Sequence, residues 1–240
     1  MKLCKLKEQK LWANIEGLSV RLEKRGISLG EVISLAPKQR PKTLILIGDG
    51  TPDDYVVALF AFKFNSEKLA WLTKPEVERG TAIFKMIHTY LMGGELREIL
   101  IVIDQEALPE SEVLRRARQD LEGKSIRILE EERKGKKLRN LSCSYGGRAF
   151  RLFILINGLD SPHFKKHTVE DHLLKAMELS SGGDEVEKIL RESGYDPKDA
   201  WWNKLEKRRQ YEIIEGLFEM EKESLRDIFP QHFEAFGFLK

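Results

Sequence analysis

Residues 42–54, KTLILIGDGTPDD, constrain this chain more tightly than any other stretch. Leu44, Ile45, Leu46 and Ile47 form a short apolar run, the pattern of a strand buried on both faces. Gly48-Asp49-Gly50 breaks that run, and its glycines accept a tight turn that other residues would strain. Asp53 and Asp54 then open a helical pattern that lasts to Phe64. Asp49 therefore falls just past the carboxyl end of a strand, where open α/β sheets place their ligand crevice.

The chain beyond this point alternates in the same sense. Residues 69–73 (LAWLT), 99–103 (ILIVI) and 125–129 (SIRIL) read as further strands. Between them lie helical segments, one opened by Pro75 with Val77, Ile83, Phe84, Ile87 and Leu91, the other with Val113, Leu114, Ala117 and Leu121. This succession predicts an α/β fold, a mainly parallel sheet flanked by helices on both faces. The charge run at 130–137 reads as an exposed turn, and residues 138–145 and 149–156 as a hairpin around Gly146-Gly147. Thr168 starts another helix, with Val169, Leu173, Leu174 and Met177.

The two ends read as helical extensions of this α/β domain, which spans residues 42–180. In the lead-in, 1–41, Leu6, Leu11, Trp12, Ile15, Leu18 and Leu22 recur at helical steps. Ser28 caps a second short helix holding Val32, Ile33 and Leu35. The C-terminal extension, 184–240, ends in Phe229, Phe233, Phe236 and Phe238. Four exposed phenylalanines would make a sticky patch, so this tail is expected to pack on the domain or on a second copy as a homo-oligomer.

Composition narrows the function classes. At 41% hydrophobic and 33% charged, the 240 residues can bury a substantial core. The Lys/Glu/Arg-rich charge suits a heat-adapted protein. A net charge of +2 supplies no global basic field. Two cysteines, Cys4 and Cys143, do not make a disulfide framework or a structural zinc site. No apolar run approaches the roughly 20 residues of a membrane span. The N-terminus, MKLCKLKEQK, is too charged for a signal peptide, which gives a cytoplasmic protein with no membrane partner.

Three acidic groups follow strand ends: Asp49 with Asp53 and Asp54, Asp104 with Glu106, and Glu170 with Asp171. Clustered carboxylates repel one another and are stabilised by a hard divalent cation such as Mg²⁺ or Mn²⁺, which keeps positions open for phosphate oxygens. On these residues the chain resembles a known family. Asp49-Gly50-Thr51-Pro52-Asp53 resembles the E-G-x-x-D start of Toprim domains, found in topoisomerases, DnaG-type primases, OLD-family nucleases and small archaeal and bacterial proteins. Asp104-Gln105-Glu106 resembles the family's D-x-D, and Glu170 the later acid of OLD-like members. The resemblance implies a Toprim-like α/β fold over about 42–180, with Asp49 as acid/base or first metal ligand. Asp104 and Glu106 would then hold the metal, and Asp53 or Glu170 would complete its shell. Asp49 stands where the family usually has Glu, Glu106 takes the second place of the pair, and the glycine that often follows is missing.

Each of these residues has a plainer reading as well. Asp residues at 49–54 suit a helix cap. Thr168 and Asp171 have the spacing of a capping box, which leaves Glu170 to face either way. His163, His167 and His172 read as a polar loop, Trp201 and Trp202 as packing anchors, and Arg133, Lys134, Lys136, Lys137 and Arg139 as solvated charge. The leading expectation is Mg²⁺-dependent, nuclease-like chemistry on a nucleic-acid phosphodiester. The alternatives are a catalytically inactive interaction module for nucleic acid or protein, and a site that binds or hydrolyses a small phosphorylated ligand.

Overall fold

The four apolar residues of the opening stretch lie fully buried in the middle of one sheet. The computed structural model describes residues 1–240 apart from 8, 35, 36, 38, 76–79, 162 and 240. Leu35 and Val77, both expected in helices, lie outside the described residues. Strand β3 (Thr43–Ile47) leads through helix α2 (Asp53–Lys63) to β4 (Leu69–Thr73). A 3₁₀ stretch, Gly80–Met86, runs into α3 (Ile87–Leu91) and on to β5 (Glu98–Asp104), then α4 (Glu110–Glu122).

The segment read as a helical lead-in also supplies two strands. β1 (Lys2–Lys5) lies parallel to β4 inside the sheet, and α1 (Lys10–Glu23) returns the chain to β2 (Ile33–Ser34) beside β1. The helix expected around Val32 and Ile33 is therefore a turn and a short edge strand. Beyond α4 the expected fourth parallel strand is also corrected. β6 (Arg127–Gly135) runs straight through the charge run that read as a turn, and it pairs antiparallel with β7 (Leu138–Tyr145). β6 is an edge strand, and exposed charge is what keeps such an edge from pairing with other chains. The hairpin of β7 with β8 (Arg148–Asn157) is as expected.

The eight strands lie in the order β2-β1-β4-β3-β5-β8-β7-β6, parallel from β2 to β8 and antiparallel across β8-β7-β6. This is the expected α/β architecture. Alternate side chains along β3 and β5 enter two separate cores, with Ile45, Ile47, Leu100 and Val102 on one face and Leu44, Leu46, Ile99 and Ile101 on the other. The second face is covered by the 3₁₀ stretch, α3 and α4. The first is covered by α1, α2, α5 (Val169–Ser181) and the C-terminal helices. Those are α6 (Gly183–Glu192), α7 (Pro197–Asp199) with the π-helical turn Ala200–Lys204, α8 (Lys207–Glu219), α9 (Leu225–Ile228) and α10 (Pro230–Leu239).

The aromatic tail packs on this face through Phe229, Phe233 and Phe236, while Phe238 stays exposed. Phe60 of α2 meets Phe229 edge-on at 5.8 Å between centroids, and Phe236 at 5.5 Å. Burying each such ring contributes about 2–3 kcal/mol, enough to fix α10 as part of the core. His172 is not a loop residue. It is buried in α5, where its Nε2 accepts the Gly158 N–H at 3.1 Å, and burial pushes its pKa down to about 4. Lys137 and Arg139, read as solvated, are also buried. Lys137 donates to the Gly158 carbonyl and Arg139 to Glu110. Among the described residues no helix is long and apolar enough to cross a membrane.

Candidate metal centre

The sheet order creates one place where neighbouring strands send their chains in opposite directions. From β3 the chain turns through α2 to β4 on one side, and from β5 it turns through α4 toward the other edge. The crevice between the carboxyl ends of β3 and β5 is the topological switch point of this fold. Register sets what meets there. Ile47 pairs with Val102, so Asp49 emerges beside Asp104, and Asp104 itself pairs with Asn157 at the end of β8.

Gly48 makes this approach possible. A Cβ at this position would lie 2.7 Å from Ile103 Cγ2 and 3.3 Å from the Val102 carbonyl oxygen, so only glycine lets the turn run against β5. Asp49 is not a helix cap. Pro52 holds the N-cap position of α2 with no side-chain bond, and this leaves Asp49 on the cleft.

Asp49, Asp104 and Glu106 each present a carboxylate oxygen, and these oxygens lie within 4.8 Å of one another. That spacing lets the three side chains hold one metal ion. Asp104 is 3% exposed, while Asp49 and Glu106 are half-buried. Glu106 adopts φ 57°, a left-handed conformation rare outside glycine. A pair of backbone bonds holds it there, Glu106 N–H to the His167 carbonyl at 2.9 Å and His167 N–H back at 3.0 Å. The same bridge draws the start of α5 against β5, so that Val169 N–H donates to Asp104 Oδ1 at 3.1 Å.

Asp53 and Glu170 border the same cleft, buried beside the three. The Asn157 amide joins two of the acids, with Nδ2 donating to Asp53 Oδ1 at 2.6 Å and to Asp104 Oδ1 at 3.0 Å. Asp171, next to Glu170, is turned away. Its Oδ1 accepts the Thr168 N–H at 3.2 Å in the capping box that the spacing predicts. Glu170 Oε1 accepts the indole N–H of Trp202 at 2.8 Å, while its buried Oε2 has no hydrogen-bond partner among the described residues.

Electrostatics mark this cluster as short of positive charge. Burial, together with Asp104, Asp49 and Glu170, raises the Asp53 carboxyl well above the usual range. Burial raises Asp104 to about 7 even though Lys198 opposes the shift, and burial also raises Glu170. Lys198 faces the acids directly. Its Nζ lies 2.9 Å from Asp104 Oδ2 and 2.5 Å from Glu106 Oε1.

The whole cleft has a volume of about 470 Å³. Lys10 and Asn14 of α1 line it, with Thr51, Lys74 and Trp202. Asn14 Nδ2 donates to Thr51 Oγ1 at 2.6 Å and to Asp54 Oδ2 at 2.7 Å, tying α1 to the loop that carries Asp49. Burial raises Asp54 to about 6. The sequence pattern carries no site signal at Asn14, Asn157 or Lys198, and Trp202 reads there only as a packing anchor. No protein-family model, curated protein or solved structure matches this chain.

Proposed function

We propose that the cleft at the switch point binds Mg²⁺ or Mn²⁺ and acts on phosphoryl groups, in the manner expected of a Toprim-like, nuclease-like site on nucleic acid. The observation that carries this reading is the convergence of three carboxylate oxygens within 4.8 Å beside two more buried acids. The orphaned Oε2 of Glu170 supports it, since a buried carboxylate oxygen without a partner is costly until a cation arrives. An all-oxygen donor set suits a hard ion. Asp49, Asp104 and Glu106 would hold it, with Glu170 and Asp53 behind them. When bound, the ion supplies charge stabilisation at the phosphoryl centre and a more acidic water.

The chain's own groups divide the remaining work. Asn157 and the Val169 amide fix the Asp104 carboxylate, so it faces the cleft without rearrangement. Asp49 sits on the rim where a substrate proton would be exchanged. Lys10 and Lys74 also line the cleft and add positive charge to it.

The test is cleavage of single- and double-stranded DNA and RNA with Mn²⁺, with chelator, and by Asp49→Asn. Metal-dependent cleavage lost in the variant supports the reading. Equal rates for both proteins with and without chelator would overturn it. The half-open cleft of about 470 Å³ favours a second reading, a compact phosphorylated ligand in place of a polynucleotide. Salt-insensitive binding of such a ligand, with no polynucleotide affinity, would select that reading, because polynucleotide contacts release counterions.

A further inference from the structure

Lys198 meets acids that a bound cation would also meet. It contacts two of the three converging carboxylates, Asp104 and Glu106. An ammonium and a divalent ion are drawn to the same oxygens by the same field, and the ion carries more charge. The two therefore compete for the same carboxylates.

The backbone that carries this lysine is anchored independently of the ion pairs at its tip. Asp196 Oδ1 accepts the backbone N–H groups of Lys198 at 3.1 Å and Asp199 at 3.3 Å, and Lys166 pairs with Asp196 Oδ2 at 3.0 Å. Trp201, three residues on, is fully buried. The backbone of α7 is therefore fixed while the Lys198 side chain, 29% exposed, has solvent to turn into. Glu170 gives an independent sign that the site expects more charge than one ammonium. It is 2% exposed, lines the cleft, and its Oε2 has no hydrogen-bond partner among the described residues.

We propose that Lys198 is a built-in counter-ion which a divalent cation displaces from Asp104 and Glu106, so that metal loading frees the ammonium to bind a phosphate in the cleft. The idea rests on the metal reading above and adds a coupling to it. Metal affinity is held down by Lys198, and phosphate binds more tightly once the metal is in place. This order of events suits a site that should not hold an anion before its metal is present.

The experiment is Mn²⁺ titration calorimetry on the wild type, Lys198→Met, Lys198→Gln and Lys198→Arg, followed by inorganic phosphate titration with and without Mn²⁺. The two neutral variants guard against one of them failing to fold. Either one is expected to bind Mn²⁺ about tenfold more tightly than the wild type, and Lys198→Arg within about threefold of it. The Mn²⁺-loaded neutral variants are expected to lose most of the wild type's phosphate affinity. Saturable Mn²⁺ binding that is equal or weaker in the neutral variants would overturn the displacement and leave the metal site standing. No Mn²⁺ binding by any of the four proteins would overturn both.

Discussion

Strand β5 carries a buried acid at each end, and the two ends are treated in opposite ways. Glu98 opens the strand. It pairs with Lys68 and Arg151 and accepts the Thr43 hydroxyl at 3.0 Å. Burial alone would raise its pKa, yet these partners hold it below the usual range. Asp104 closes the strand and is buried more deeply, its side chain 1% exposed against 10% for Glu98; apart from Lys198 its charged neighbours are Asp49, Asp53 and Glu170, and burial carries it up to about 7. One end neutralises its own charge and is finished as structure. The other is left electrostatically incomplete, and buried charge without compensation is retained in proteins chiefly where something else binds.

The contrast is sharpest in stability. Asp53→Asn is expected to stabilise the metal-free protein at about pH 8, read by urea denaturation. The sign follows from linkage. The folded-state pKa of Asp53 lies above its unfolded value, so its contribution is full below about pH 4 and is lost as pH rises toward the folded value, at about 1.4 kcal/mol per unit. The gain in the variant should therefore vanish in acid. Comparing variant with wild type is needed because His172 and His232, whose pKa values burial lowers, pull the overall profile the other way. Parallel pH profiles for the two proteins would break the comparison at this end.

At the other end the sign reverses. Glu98→Gln is expected to destabilise by on the order of 2 kcal/mol, less than a fully buried pair because Arg151 is half exposed. With its folded-state pKa depressed, Glu98 contributes stability above its unfolded value and loses it as pH falls, so this deficit should shrink in acid. Mn²⁺ should leave it unchanged.

Smaller effects are expected from the groups that orient the acids. Asn157→Ala removes the amide shared by Asp53 and Asp104 and should weaken Mn²⁺ binding about tenfold in calorimetry. Trp202→Phe deletes the bond to Glu170 and should lower stability by less than about 1 kcal/mol in thermal melts. A larger stability loss for Trp202→Phe than for Glu98→Gln would mean that the acidic end is held together as tightly as the other.

The parts legible in the sequence are those encoded locally. The apolar runs of β3 and β5 locate Asp49 and Asp104, and their parallel pairing brings the two together. The capping box at Thr168 fixes Asp171 and so frees Glu170 to face the cleft. What escaped depends on long-range contact. β1 is four residues with only Leu3 and Cys4 buried, too short a signal among lysines. β6 beyond Leu129 reads as a turn because its charges protect an edge. Lys198 lies 92 residues from Glu106, in a turn whose local pattern says only Asp cap and proline. No spacing rule connects them, and only the fold of the C-terminal helices over α5 brings that ammonium to the acids.

The most direct test of the incomplete end is Mg²⁺ and Mn²⁺ calorimetry on the wild type and on Asp104→Ala, with circular dichroism to confirm that both are folded. Saturable binding in the wild type that disappears in the variant is the expected result. Equal binding in both, or binding in neither, would contradict the claim that these carboxylates form a metal centre.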